Sequence, residues 1–335
     1  MSARAAWTAV SVAGRLTERA ATRASLRELA ESIGDAQPLM RERVLRRPPT
    51  VFFDYARDAA SAFGNANAAS AMHAPLAAAI EAIKIIDDIQ DDEPQCLASE
   101  IGVDAALHVA MDALAWCLEL TSELPLDDAA WRAAAVAIGR GLHETAAGQL
   151  LETTLDGGFD EFWSVVDHKT PPLVATALEL GALAAGATPD QAAALTRLAI
   201  PFGRLLQIGD DCHDALGPDA SDWRNPELNL LMRFSLAGPS GDALAVLLED
   251  PSTLRDAQVL LLRDGALGYA IHAQIATLDA LREIIDDLAL PNPAPFEAML
   301  EQHRADTDDL LRRSGVSPML ASHVAGSTAA IAATR

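Results

Sequence analysis

Lysine is almost missing from this chain. Of its 25 basic residues only Lys84 and Lys169 are lysines, against 48 acidic residues and a formal net charge of -23. That balance excludes a nucleic-acid-binding protein and argues against docking on an anionic membrane surface. Cysteine is scarce too. Cys96, Cys117 and Cys212 show no metal or redox spacing, which excludes a disulfide framework and leaves a reducing cytoplasm as the expected location. No charge-free apolar run reaches bilayer-spanning length, so no membrane span is expected, and Arg4 and Arg15 interrupt the segment Met1–Leu16 where a signal-peptide core would lie. Alternation of period two never persists long enough to build a sheet, and there are no repeats.

What is abundant is Ala and Leu in a chain that is half hydrophobic, a composition that favours helix. Apolar residues recur at helical spacing between short Pro- or Gly-marked breaks. The spacing predicts helices over 25–31, 49–62, 75–90, 102–120, 128–155 and 159–167. Further ones are predicted over 171–183, 189–214, 226–236, 254–262, 268–288 and 295–314. Thr188-Pro189-Asp190 is a helix start signal, with proline where its missing N–H costs nothing. Residues 215–224 form the main polar loop, and 325–335 are expected to be loosely held. The expectation is all-α: one domain over 1–335, a large helical bundle whose central helices carry functional residues inward.

Two acidic words stand out, Asp87-Asp88-Ile89-Gln90-Asp91 and Asp210-Asp211-Cys212-His213-Asp214. Each is D-D-x-x-D in a helical stretch, so its first and last carboxylates stack about one turn apart while the second is rotated by roughly 100°. Like charges that close cannot all stay ionised in a half-buried place unless cations sit among them. Carboxylate-rich oxygen ligands suit Mg²⁺, which keeps several waters and is completed by substrate phosphates. A lone word of this kind is usually a solvated helix face, as Asp286-Asp287 and Asp308-Asp309 are expected to be. Both flagged words instead follow apolar runs, Ala82-Ile83-Lys84-Ile85-Ile86 and Leu205-Leu206-Gln207-Ile208-Gly209. Two such words across a cavity would grip a diphosphate through metal ions. Lys84, one turn before the first word, and Lys169 are candidate donors to it by position, although Lys84 equally suits an i,i+4 pair with Asp88.

On these words, together with Gly148-Gln149, Lys169-Thr170 and Gln207 three residues before Asp210, the chain resembles the trans-isoprenyl diphosphate synthase family, with its class I terpenoid synthase fold. The likeness spans roughly 43–234. It implies a bundle around a deep apolar cavity, three Mg²⁺ ions per site, a prenyl diphosphate at the mouth and a homodimer. By resemblance the metal ligands are Asp87, Asp91 and Asp210, with Asp88, Asp211 and Asp214 as further ligands or their supports. Lys169, Arg47 and Arg204 would bind the leaving diphosphate, while Thr170 and Gln207 would turn oxygen dipoles towards a cation. The cavity floor falls at Ala82 and Ile83, neither aromatic, which leaves room for chains of 15–20 carbons or longer.

The departures from the family are on the acceptor side. Elongating members bind isopentenyl diphosphate with a Gly-Lys-Arg-x-Arg-Pro segment, a histidine on the next helix and an Arg pair just after the first Asp word. Here the chain reads Arg43-Val44-Leu45-Arg46-Arg47-Pro48, no histidine stands at the family's interval before Asp87, and Glu93-Pro94-Gln95-Cys96 replaces the Arg pair. The loop after the second word, Asp222-Trp223-Arg224-Asn225, has no lysine either. Losing about three charged contacts at roughly 1.5–3 kcal/mol each weakens such a pocket by orders of magnitude. The expected activity is therefore Mg²⁺-dependent ionisation of an allylic prenyl diphosphate followed by cyclisation or rearrangement. The alternatives are prenyl transfer to another acceptor, a chain-elongating synthase with an atypical pocket, and a non-catalytic subunit, which the intact Asp words disfavour.

Overall fold

The computed structural model describes residues 50–91, 93, 96–152, 159–217, 223 and 226–314. Among them there is no strand, and the all-α class read from composition is the one found. The helices are α1 (Val51–Ala62), α2 (His73–Gln90), α3 (Leu97–Ile101), α4 (Val103–Ser122), α5 (Asp128–Glu152), α6 (Phe159–Lys169) and α7 (Pro171–Ala184). They continue as α8 (Pro189–Ala194), α9 (Ala199–Leu216), α10 (Leu230–Leu236), α11 (Gly241–Leu248), α12 (Leu254–Asp264), α13 (Ala266–Asp287) and α14 (Ala294–Ser314). Expected helices over 25–31 and the tail 325–335 lie outside the described residues, as does Arg47.

Where the expected helices differ, local chemistry explains it. The long helix expected over 189–214 is two, because the 3₁₀ turn Leu195–Leu198 tightens the backbone between α8 and α9. Thr188 does start α8 with a full capping box, its hydroxyl accepting from Gln191 N while the Gln191 amide oxygen accepts from Thr188 N. The helix expected over 226–236 is also divided. Asn229 leaves helical geometry and caps α10, its side-chain oxygen accepting from Leu231 N and Met232 N. Helix α11 was not expected at all, since Gly238-Pro239-Ser240-Gly241 reads as a turn; Leu244, fully buried, ties it to the core.

One domain over 1–335 was the sequence expectation. By Cα proximity the chain falls into two compact units, Met1–Gln149 with Pro172–Ala199 and Leu288–Phe296, and Leu150–Pro171 with Ile200–Asp287 and Glu297–Arg335. No linker signal marks this division, because neither unit is a continuous stretch of chain.

In the first unit α2 packs along α4. The buried face of α4 carries Ala106, Ala110, Ala113 and Cys117, spaced at 4, 3 and 4, as a stripe of small side chains, with Trp116, Leu120 and Thr121 buried towards its C-terminal end. Ile85 of α2 clusters with Ala106 and Ala110 and with Leu97 of α3. The chain from Ala66 to Gln90 is long and apolar enough to cross a membrane by length and composition alone, yet 78% of its apolar 18-residue stretch is buried inside the protein. Its hydrophobicity serves the core. Gly181 of α7 lies directly against the carbonyl of Ala56 in α1, so any side chain there would force the two helices apart.

In the second unit α6, α9, α10, α11, α12 and α13 share one core. Phe162 and Val166 meet Ile208 and Ala215, the run Leu230-Leu231-Met232, Leu244, Leu261 and Ala270. This core fixes α9, and with it the second Asp word.

His73, the first residue of α2, is 1% exposed, lies against Phe53 with ring centroids 4.6 Å apart and planes tilted by 51°, and has no hydrogen-bond partner on either ring nitrogen. Burial, with the charge of Arg57 adding to it, pulls its pKa down from 6.5 to about 3. The folded protein thus keeps His73 neutral while the unfolded chain protonates it below pH 6.5. Stability is full above that value and falls as pH drops towards 3, by about 1.4 kcal/mol per pH unit from this residue. We expect His73→Phe to flatten the pH dependence of urea unfolding by about that slope between pH 6 and 4; parallel curves for the two proteins would show that the imidazole is not desolvated.

Candidate active site

The last turn of α2 and its C-cap, Asp91, carry the first Asp word. Asp88 is 5% exposed, whereas Asp87 and Asp91 are half-buried. Lys84 reaches both nearer carboxylates, 3.2 Å from Asp87 Oδ2 and 2.7 Å from Asp88 Oδ1. Burial alone would lower the Lys84 pKa, but these two carboxylates outweigh it and raise it. Of its two readings, structure favours the ion pair. From α5, Gln149 donates its Nε2 to Asp87 Oδ1 at 2.7 Å. Gly148-Gln149 is therefore not a remote signature: it braces the word's first carboxylate.

The Gln149 Oε1 atom is buried and has no hydrogen-bond partner. An orphaned acceptor next to Asp87 calls for an electropositive group there, a hydrated cation among them. With all-oxygen donors at Asp87 and Asp91 one turn apart, this half of the site fits Mg²⁺. Among the described residues no three Asp, Glu, His or Cys side chains converge closely enough to hold a metal unaided. Phosphate oxygens are the natural completion.

The second word lies on α9, and its three aspartates differ sharply. Asp210 is exposed, Asp214 half-buried and 3.0 Å from His213 Nδ1, while Asp211 is 1% exposed. Both Asp211 oxygens are engaged: Oδ1 accepts from Gln207 Nε2 at 2.7 Å and Oδ2 from Leu230 N at 2.8 Å. Asn229 Nδ2 donates to the Asp211 carbonyl at 2.9 Å. Asp211 thus ties the start of α10 to α9, leaving Asp210 and Asp214 as the accessible carboxylates of this word. Gln207, three residues before Asp210, spends its amide nitrogen on Asp211, so its oxygen is the end left for other company.

Lys169 closes α6, and both oxygens of Glu152 accept from its Nζ, at 2.8 and 2.9 Å. Thr170, half-buried, turns the chain into α7, whose Pro171 packs on Gly203 of α9 too closely for a side chain at 203. Arg204 donates twice to Asp167, both bonds 2.7 Å, with Trp163 against its guanidinium at 5.1 Å. Tyr269 joins this group; burial raises its pKa, while a hydrogen bond with Trp163 and the charge of Arg204 work against that rise. Glu152, Asp167 and Asn229 were missed in the sequence. Glu152 had a signal, since it stands three residues after Gln149 at the spacing of one helical turn; Asp167 and Asn229 had none beyond polarity.

The first unit also holds a narrow apolar pocket lined by Pro75, Leu76, Ala79 and Ile80 of α2, Ile138 and Leu142 of α5, and Leu173 and Thr176 of α7. Ala82, fully buried, and Ile83, half-buried, are not among its lining residues. It begins deeper along α2 than the sequence reading placed the floor.

Comparison with known proteins identifies the family and the fold. The polyprenyl synthetase family model matches residues 55–224, half of the chain. The chain belongs to the polyprenyl synthetase family. Prenyl diphosphate chemistry follows from that membership, and family members use Mg²⁺. No curated protein matches the sequence. Among solved structures, a geranylgeranyl pyrophosphate synthase superposes with a TM-score of 0.71 at 17% identity, covering 89% of this chain and 98% of its own. One from Corynebacterium glutamicum, complexed with calcium and isoprenyl diphosphate, gives 0.68 at 22% identity over 87% and 96%. Farnesyl diphosphate synthase from T. brucei gives 0.68 at 17% over 85% and 96%. At such identities the likeness establishes the shared isoprenoid synthase fold. In this polyprenyl synthetase family member the first word, the Gly-Gln pair, Lys169-Thr170 and the second word all fall within the matched segment.

The two words make separable predictions. Asp211→Ala would strip a cap from α10 and unpair half-buried Gln207, costing about 1–3 kcal/mol in chemical denaturation. Asp210→Ala, at an exposed position, is expected to leave the melting temperature within about 2 °C while abolishing turnover of prenyl diphosphate. An Asp210 variant as destabilised as the Asp211 one would show that the word is structural throughout.

Proposed function

We propose that this protein ionises an allylic prenyl diphosphate and lets the resulting cation cyclise or rearrange, without condensing it with isopentenyl diphosphate. Asp87 and Asp91 on α2 and Asp210 and Asp214 on α9 would hold Mg²⁺, three ions by family resemblance, with Asp88 and Asp211 fixing the helices that present them. When bound, the metal supplies positive charge to the departing diphosphate oxygens. Lys169 donates to the same oxygens, and Thr170 and Gln207 turn oxygen dipoles towards the cation. Apolar walls such as the pocket beside α2 exclude water that would quench it. Arg204 has its fork committed to Asp167 and its face to Trp163. That supports a scaffolding role more than one on the diphosphate; Arg47 remains a candidate donor.

The observation that carries this reading is the thin supply of cations for a second diphosphate. Elongating relatives hold isopentenyl diphosphate with a lysine, a histidine and an arginine pair that this chain lacks, and Glu93 stands where the arginines would be. The described cations by the Asp words and the Lys169-Thr170 turn, Lys84, Lys169 and Arg204, are each already paired with a carboxylate. The elongating alternative draws support from the structural neighbours, which are named as geranylgeranyl and farnesyl diphosphate synthases. A cytoplasmic homodimer taking a chain of 15–20 carbons or longer completes the proposal.

Incubation with Mg²⁺ and geranyl, farnesyl or geranylgeranyl diphosphate, each alone, is expected to give hydrocarbon or terpene alcohol by gas chromatography, best with geranylgeranyl diphosphate. Labelled isopentenyl diphosphate should stay unincorporated beside any of them. Efficient formation of a longer linear diphosphate would restore the elongase. Since the pocket is lined by Ala79 and not by Ala82, Ala79→Phe is expected to shift preference to shorter chains more than Ala82→Phe does.

A further inference from the structure

We propose that Glu152 is a positioning residue that competes with the diphosphate group for Lys169, and thereby sets how tightly diphosphate is held and how readily it leaves. The inference rests on the reading of Lys169 as a diphosphate donor. Both Glu152 oxygens lie within 2.9 Å of Lys169 Nζ, and the side chains are only 13% and 24% exposed. A pair so far out of solvent is screened less than a surface ion pair, so Glu152 occupies much of the lysine's capacity to attract anions.

The neighbouring cation shows what a permanently committed charge looks like. Arg204 is gripped in a planar two-bond fork by Asp167 and covered by Trp163. Such a fork is rigid and specific. Lys169 is a point charge on a flexible stem with three rotatable donors, held by the Glu152 carboxylate at the end of α5 without a planar fork. It can exchange Glu152 for a more highly charged anion and return when that anion departs. Diphosphate carries several negative charges against one on Glu152, so it wins the lysine when metal ions are present. Once the organic chain has separated, Glu152 is the group at hand to reclaim Lys169. Without that competitor the product anion would be retained.

The experiment is calorimetric titration of inorganic diphosphate with Mg²⁺ into the full-length wild type, Glu152→Gln, Lys169→Met and the double variant. Glu152→Gln is expected to bind on the order of tenfold more tightly, and the double variant no more tightly than Lys169→Met. In steady-state turnover Glu152→Gln should lower KM and kcat together, the mark of slowed release. Glu152→Asp, which keeps the charge but draws it back by one methylene, should fall between and covers the case in which the glutamine variant does not fold. Unchanged or weaker binding by a folded Glu152→Gln overturns the proposal, as does a gain that survives removal of Lys169. Equal binding by wild type and Lys169→Met would remove Lys169 from the diphosphate site and end the inference with it. Whether the wild type makes cyclic or elongated product from an allylic diphosphate bears on the functional reading alone, since diphosphate leaves in either case.

Discussion

Carboxylates in excess, holding down the few cations available, are the constraint on which the rest of this protein turns. Lys84 is bound by Asp87 and Asp88, Lys169 by Glu152 and Arg204 by Asp167. A diphosphate that met any one of these cations would find it already paired. Much of the charge compensation would then come from outside the chain, and divalent metal is the source that acidic side chains recruit. Among the described residues, the pairing of Lys84, Lys169 and Arg204 is thus consistent with the family's use of Mg²⁺. It also explains how a chain of net charge -23 can work on a diphosphate at all.

The same constraint divides the two Asp words internally. In a helix the second aspartate of each word is rotated away from the other two. Asp88 and Asp211 are the buried members, 5% and 1% exposed, and each has a defined partner. A buried carboxylate without partners would cost several kcal/mol. Asp211 meets that demand by capping α10, whose first backbone N–H groups need acceptors in any case. One residue therefore satisfies two orphaned sets of polar atoms. The outer aspartates, Asp87, Asp91, Asp210 and Asp214, keep more exposure, as the proposed metal site that fills and empties with substrate would require.

How much of this could be read from the amino acids differs by level. Helical class was legible because Ala and Leu recur at a helical period and nothing alternates at two. Long, uninterrupted helices such as α2, α4 and α13 were placed to within two residues at either end. The failures came where tertiary demands overrode pattern: the 3₁₀ turn before α9 and the Asn229 cap split helices whose apolar spacing runs on without a break. The Asp words, Gln149 and Lys169 were visible as residue types in order. Their partners were not, because an ion pair such as Glu152 with Lys169 depends on where two helix ends meet, and nothing in a run of charges specifies that. His73 illustrates the opposite error. Sequence distance from Asp87 removed it from the site, but nothing marked it as the buried, unpaired imidazole that it is.

Depth along α2 links the metal word to the apolar pocket. Ile80 lies seven residues before Asp87 and Pro75 twelve, which at 1.5 Å per residue puts the pocket wall roughly 10–18 Å down the helix from the carboxylate. A side chain at Ala82 or Ile83 would act nearer the mouth, and neither lines the pocket. Along this helix the lining is aliphatic except for the backbone itself, so nothing on it offers a base or a water-binding group to a cation drawn past it. The other walls add only Thr176 as a polar side chain, and its hydroxyl lies within 2.9 Å of the Pro172 carbonyl and 3.2 Å of that of Ala137. A hydroxyl whose proton is committed to the backbone is a poor proton donor and holds water badly. Under the proposed function such a wall would shape a hydrocarbon chain by contact alone, and the chemistry of its fate would be left to the groups around the diphosphate.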